Sequence, residues 1–169
     1  MQYRTETRKE RSSKKQAKTF PFEVCTINFQ VEENVAFVIR AAACFGASAV
    51  NIIGTIPERK ELVRRSGTNQ DYVTINQFSN PNKFLKYVRD NDISLVCAEL
   101  DDDAASIHDF IFPKDKRFCI VVGHEITGIP VEILMNSQKV FIPMPGKGFN
   151  LNTSQTANIF LHEAAKLYV

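Results

Sequence analysis

Short continuous apolar runs alternate with amphipathic stretches along this chain, and the two periodicities separate strands from helices. Residues 23–28 read as a first strand and 49–53 as a second, buried one. Between them, residues 34–45 carry Val35, Val38, Ile39 and Ala42 at helical spacing, with Asn34 as a candidate N-cap and Gly46 as the stop. Residues 58–65 read as a short charged helix or an ordered loop, and 72–75 as a third strand. Asn80-Pro81 then supplies a capping side chain followed by Pro at the first helical position, which predicts a helix to about Asp90. Residues 93–98 and 118–122 are the kind of apolar run expected of parallel strands covered on both faces, with a helical stretch predicted over 104–110 between them. A short helix over 130–137, a last strand over 140–142 and a final helix over 154–167 complete the pattern. Strands alternating with helices predict an α/β domain built on a largely parallel sheet flanked by helices.

Composition adds one point of interest. At 169 residues, 44% hydrophobic and 24% charged, the chain suits a single domain with a sizeable core. The net charge of +2 is unevenly spread: residues 1–18 hold seven Lys/Arg against two Glu, a net +5, which leaves −3 for residues 19–169. We therefore expect a basic arm over 1–18, mobile or marginally helical, ahead of a folded domain over 19–169. No apolar run approaches membrane-spanning length and the N-terminus lacks the apolar stretch of a signal peptide, so the expected address is cytoplasmic. Cys25, Cys44, Cys97 and Cys119 lie in apolar surroundings without C-x-x-C spacing, which suits buried reduced thiols and predicts no metal site.

Several common chemistries are excluded on residues alone. The segment after the first strand, Phe29-Gln30-Val31-Glu32-Glu33-Asn34, has no glycine for a dinucleotide fingerprint. Gly146-Lys147-Gly148 lacks the spacing and the following Ser/Thr of a P-loop, and His124-Glu125 has no second His for a zincin. Gly123-His124-Glu125-Ile126-Thr127-Gly128 is open to two readings, an ordinary turn or a strand end whose bare backbone approaches a flat ligand. Asn152, with Gln155 three positions later, suits a reciprocal cap for the last helix. That helix start also gathers free N–H groups suited to a carboxylate or phosphate. Arg40 lies off the apolar stripe of its helix, where a solvated surface role is the simplest account.

Taken together, three segments change that picture. Asn34-Val35-Ala36-Phe37-Val38-Ile39-Arg40, the Gly123–Gly128 segment, and Ile142-Pro143-Met144-Pro145-Gly146-Lys147-Gly148-Phe149-Asn150-Leu151-Asn152 stand in the order and at the intervals of three motifs of one family. The chain thus resembles the SpoU class of SPOUT methyltransferases, which move a methyl group from S-adenosylmethionine to a ribose 2′-hydroxyl of tRNA or rRNA. The resemblance implies a deep trefoil knot in the last third, an exception to the rule that chains do not thread loops. It assigns catalytic or substrate-ordering roles to Asn34, Arg40, Glu125 and Asn152. It places the cofactor among backbone groups near Leu100, Gly123, Gly128, Ile142 and Leu151. Two positions depart from the family: Ala36 stands where Gly is usual, and Asn150 where Ser is usual. The first adds one methyl and favours the helix; the second exchanges a hydroxyl for a bulkier amide at a substrate-binding position.

A guanidinium is a poor base at neutral pH, so Arg40 is expected to bind phosphate and stabilise the developing alkoxide. Asn34 and Asn152 would orient neutral groups, with Glu125 holding the loop or Arg40. The arm residues Arg8, Lys9, Arg11, Lys14 and Lys15 would supply attraction to RNA, with a tRNA loop favoured over a large rRNA assembly. The family also implies a homodimer. The rival readings are a catalytically inactive SPOUT-like RNA-binding protein, and an α/β metabolic enzyme taking an acidic ligand at Gly146–Gly148.

Overall fold

A computed structural model describes residues 18–67, 69–148 and 150–169. Its strands and helices alternate: β1 (Phe20–Ile27), α1 (Glu32–Phe45), β2 (Ala47–Ile53), α2 (Arg59–Ser66), β3 (Thr74–Phe78), α3 (Pro81–Asp90), β4 (Ser94–Ala98), β5 (Ala105–Ser106), β6 (Phe118–Val122), α4 (Val131–Leu134), β7 (Ser137–Phe141) and α5 (Thr153–Ala165). Short 3₁₀ turns over Asn69–Tyr72 and Lys166–Tyr168 complete the set. All seven strands pair in parallel in the order β3-β2-β1-β6-β4-β7-β5.

The sheet is apolar on both sides because both are covered. On one side Val24, Val50, Ile120 and Val96 meet Val38 and Ile39 of α1 and Phe160 and Leu161 of α5. On the other, Cys25, Cys97, Cys119 and Val121 meet Phe84, Leu85 and Val88 of α3 and Ile133 of α4. Each fully buried Ile, Leu or Phe contributes about 1.5–3 kcal/mol relative to exposure. One charge lies within the second layer: Glu23, 1% exposed, accepts from Asn51 Nδ2 (2.6 Å), Arg117 Nη2 (2.6 Å) and Tyr87 Oη (3.1 Å). These partners make the carboxylate tolerable at the sheet centre.

Most predicted elements stand within a few residues of their expected bounds, and Asn80 caps α3 through Lys83 N (3.0 Å) as its sequence suggests. Four expectations need correction. Asn34 is not the N-cap of α1; Val31 holds that place, and Glu32 and Glu33 occupy the first turn, where carboxylates suit the positive helix end. Residues 104–110 form no helix. Ala105 and Ser106 pair with Val140 and Phe141 at the sheet edge, and Ser106 Oγ accepts from His108 N (3.2 Å), a local bond that competes with helix formation. The helix predicted over 130–137 is a single turn, because Ser137 already belongs to β7. Cys44 is exposed on α1, unlike the other three thiols. Burial pushes Cys25 and Cys119 well up and Cys97 to about 12, so these three remain unreactive thiols. The arm residues Arg8, Lys9, Arg11, Lys14 and Lys15 lie outside the described residues.

No described helix is long and apolar enough to cross a membrane.

Candidate active site

The three sequence segments meet at one end of the sheet. α1 and α5 pack side by side on the same face, which brings the start of each helix together, and the loop after β6 reaches the same place. Gln30 N–H donates to Glu125 Oε2 (3.0 Å) and Asn34 Nδ2 to Glu125 Oε1 (3.1 Å). Asn152 Nδ2 in turn donates to Asn34 Oδ1 (3.1 Å). Ser154 closes the far end, its N–H (2.9 Å) and Oγ (2.7 Å) both donating to Asn152 Oδ1. The result is a relay from Ser154 through Asn152 and Asn34 to Glu125, in which every amide has one defined orientation.

Electrostatics follow from this wiring. Burial pushes the Glu125 carboxyl up, but the N–H groups of Gln30, Val31 and Glu125 itself and the Asn34 amide outweigh it, holding the pKa below the usual glutamate value. Glu125 is thus an ionised anchor whose partners are Gln30 and Asn34 rather than Arg40. Asn152 does cap α5, through Ser154 and not through the reciprocal Gln155 contact, and the spare amide N–H reaches Asn34. Capping and cross-linking use different atoms of one side chain.

Arg40 is exposed and lines a groove of about 540 Å³ between α1 and α5 together with Asn34, Phe37, Asn152 and Ser154. No carboxylate pairs with it among the described residues. A second cleft, about 300 Å³, lies at the ends of β4 and β7 and is lined by Glu99, Leu100, Ile142, Met144, Asn150 and Leu151. Leu100, Met144 and Leu151 are all substantially exposed there, an apolar lining open to solvent. Asn150 and Leu151 directly precede Asn152, so cleft and relay adjoin at the start of α5.

Gly123 and Gly128 stand beside this cleft rather than in its lining. A Cβ on Gly123 would meet the carbonyl carbon of Gly128 at 2.5 Å, so the space it leaves is filled by backbone. Gly128 has φ +68° and exchanges two hydrogen bonds with His124 (3.0 Å each), closing the loop that carries Glu125. His124 Nδ1 accepts from Ile126 N (3.1 Å) and Thr127 N (3.2 Å), which stiffens the same loop.

Residues 21–162 match the model of the SpoU rRNA Methylase family. The chain belongs to that family. A curated relative, the tRNA (guanosine(18)-2′-O)-methyltransferase of Aquifex aeolicus (strain VF5), is 25% identical over 143 residues, covering 82% of this chain and 66% of its own length. Among solved structures, the AdoMet-bound rRNA methyltransferase of Sinorhizobium meliloti superposes with a TM-score of 0.80 at 23% identity, covering 88% of this chain and 57% of the other. The A. aeolicus TrmH/SpoU tRNA modifying enzyme gives 0.76 at 22%, covering 89% and 77%. This chain therefore spans a little under two thirds of the curated relative and just over half of the Sinorhizobium protein. The structural likenesses establish the SpoU fold for it.

Sequence reading overlooked three residues that the fold brings to this candidate site. Gln30 acts through its backbone and leaves no signal in residue type. Ser154 could have been noticed as a hydroxyl two positions after a candidate cap, the usual place for an Asx or Ser/Thr turn. Glu99 is a carboxylate directly after a buried strand, where ligands of open α/β sheets commonly sit.

Proposed function

We propose that this chain transfers the methyl group of S-adenosylmethionine to a ribose 2′-hydroxyl of RNA, with tRNA as the target. The observation that carries this reading is the relay of Asn34, Asn152 and Glu125, drawn from three separate segments and set beside the cleft that holds Leu100, Ile142 and Leu151. A cleft of about 300 Å³ with apolar lining suits a purine nucleoside. Leu100, Ile142, Met144 and Leu151 would hold the cofactor, which supplies an electrophilic methyl on a sulfonium.

The residues of this chain then have distinct tasks. Arg40, free of any carboxylate among the described residues, binds the phosphate next to the target nucleotide and stabilises negative charge growing on the ribose oxygen. Asn34 and Asn152 fix the approach of that oxygen, since in-line transfer depends mainly on positioning. Glu125 holds Asn34 and the Gly123–Gly128 loop in register. As the methyl–oxygen bond formed, the methyl–sulfur bond would break with its electron pair going to sulfur, leaving the neutral thioether S-adenosylhomocysteine, and the 2′-hydroxyl proton would pass to solvent.

The same reading includes threading of the last third as a trefoil knot, a homodimer and a cytoplasmic address. Insertion of β7 between β4 and the edge strand β5 is compatible with a threaded path. The groove between α1 and α5, with Phe37 exposed in it, offers a surface for a second copy beside Arg40.

The test is mass mapping of 2′-O-methylated nucleosides in RNA from cells with and without this chain, followed by transfer to the same RNA by the purified protein. Loss of one 2′-O-methyl nucleoside in tRNA, restored in vitro, is the expected result. Methylation confined to a base, or no change in any RNA, would overturn the reading.

A further inference from the structure

We propose that Glu99 recognises the vicinal ribose hydroxyls of the nucleoside bound in the cleft at the ends of β4 and β7, and thereby selects a ribonucleoside cofactor. This rests on the S-adenosylmethionine reading above. Glu99 directly follows β4, and its N–H donates to Val140 O (3.1 Å), which pins its backbone against β7. Glu99 is among the residues lining the cleft, and its Oε2 lies at the cleft's edge, only 3.3 Å from where a Cβ on Gly128 would stand. The carboxylate therefore lies against the Gly128 turn, where a side chain would crowd it.

No hydrogen bond or ion pair engages the Glu99 carboxylate among the described residues. Lys139, on the neighbouring strand, is taken up instead by Asp101 (2.6 Å) and Asp103 (2.5 Å). A ligand that covered this carboxylate without offering donors would leave a desolvated, unpaired charge, which is costly. Ionised Glu is acceptor-only with two oxygens, and a cis-diol brings two O–H donors at matching spacing. Carboxylate-to-ribose pairing of this type discriminates nucleosides in other open α/β sheets. The remaining lining of the cleft is apolar, with Leu100, Ile142, Met144 and Leu151 prominent, apart from the neutral polar side chains of Asn150 and Thr156, which leaves Glu99 as its one charged group among the described residues.

Calorimetric titration of the full chain with S-adenosylhomocysteine and with its 2′-deoxyribose analogue tests this. Wild type is expected to bind the ribose form about 10-fold or more tightly than the deoxy form, as a charge-assisted hydrogen bond would give. Glu99→Ala should lose a similar factor on the ribose form while binding the deoxy form as wild type does. Glu99→Gln, with one acceptor kept, should fall between. Equal losses on both ligands, or none on either, would overturn the inference while leaving the cofactor reading intact. A loss seen with S-adenosylmethionine but not S-adenosylhomocysteine would mean that the carboxylate pairs with the sulfonium charge, which also overturns it. Failure of wild type to bind either nucleoside would remove the cofactor reading and this inference together. Unchanged melting of the unliganded variants confirms that the comparison is between folded proteins.

Discussion

Replacing Asn34 by Asp changes almost no volume yet reverses one end of the relay. The Asn34 amide donates to Glu125 Oε1 at 3.1 Å and its carbonyl accepts from Asn152 at 3.1 Å. In Asn34→Asp the donor becomes a second carboxylate oxygen facing Glu125. Two charges at about 4 Å repel by about 1 kcal/mol in water and about 4 kcal/mol at an effective dielectric of 20. Glu125 is only partly buried, so we expect a loss of about 1–3 kcal/mol at neutral pH, including the lost hydrogen bond. The sign with pH is the sharper signature. In wild type Glu125 is depressed, so its contribution is complete above the unfolded glutamate pKa of about 4.3 and is lost as pH falls through the folded value. In Asn34→Asp the paired carboxyls share a proton and one folded pKa is raised. Stability from that pair is then complete below the unfolded values and lost as pH rises through the folded one. Urea denaturation at several pH values between about 4 and 8 reads the slope directly. A variant as stable as wild type at pH 8, with the wild-type slope, would refute the claim that Asn34 and Glu125 face one another.

Arg40→Ala should abolish methyl transfer with S-adenosylmethionine affinity within about twofold of wild type, and Arg40→Lys should rescue it poorly because a point charge does not replace a planar fork; calorimetry beside a transfer assay separates the two effects. Gly123→Ala should destabilise by about 2–4 kcal/mol, since the new Cβ meets the Gly128 backbone at 2.5 Å and neither strand end nor loop can yield; a melting temperature within a degree or two of wild type would contradict this. Deleting residues 1–18 removes a net +5 and should weaken RNA binding while flattening its salt dependence by about 0.7 per lost phosphate contact on single strands. Superimposable salt plots for full-length and truncated protein would leave the arm without a part in RNA binding.

Much of this architecture could be read from local pattern because each element is selected by its own residues. The apolar run Phe118-Cys119-Ile120-Val121-Val122 can satisfy burial on both faces only as an inner parallel strand, and it is found there with its predicted bounds. Asn80-Pro81 starts a helix because the cap and the missing N–H solve the same local problem. The order and spacing of the three segments were likewise enough to indicate the family. Where local signals were weak, neighbours decided. Ala105 and Ser106 pair with β7 instead of entering a helix because β7 presents an unpaired edge, a feature distant in sequence. Asn34 had the composition of a cap, but Glu125 and Asn152, 91 and 118 positions away, draw its amide into the relay instead. The partner of Glu125 could not be chosen from sequence, because the distance between its carboxylate and the Gln30 N–H depends on how β1 and β6 align. Residue type determined which groups could donate or accept; only the tertiary packing of α1, α5 and the loop after β6 decided which of them met, because hydrogen bonds act over about 3 Å and sequence specifies no distance between segments.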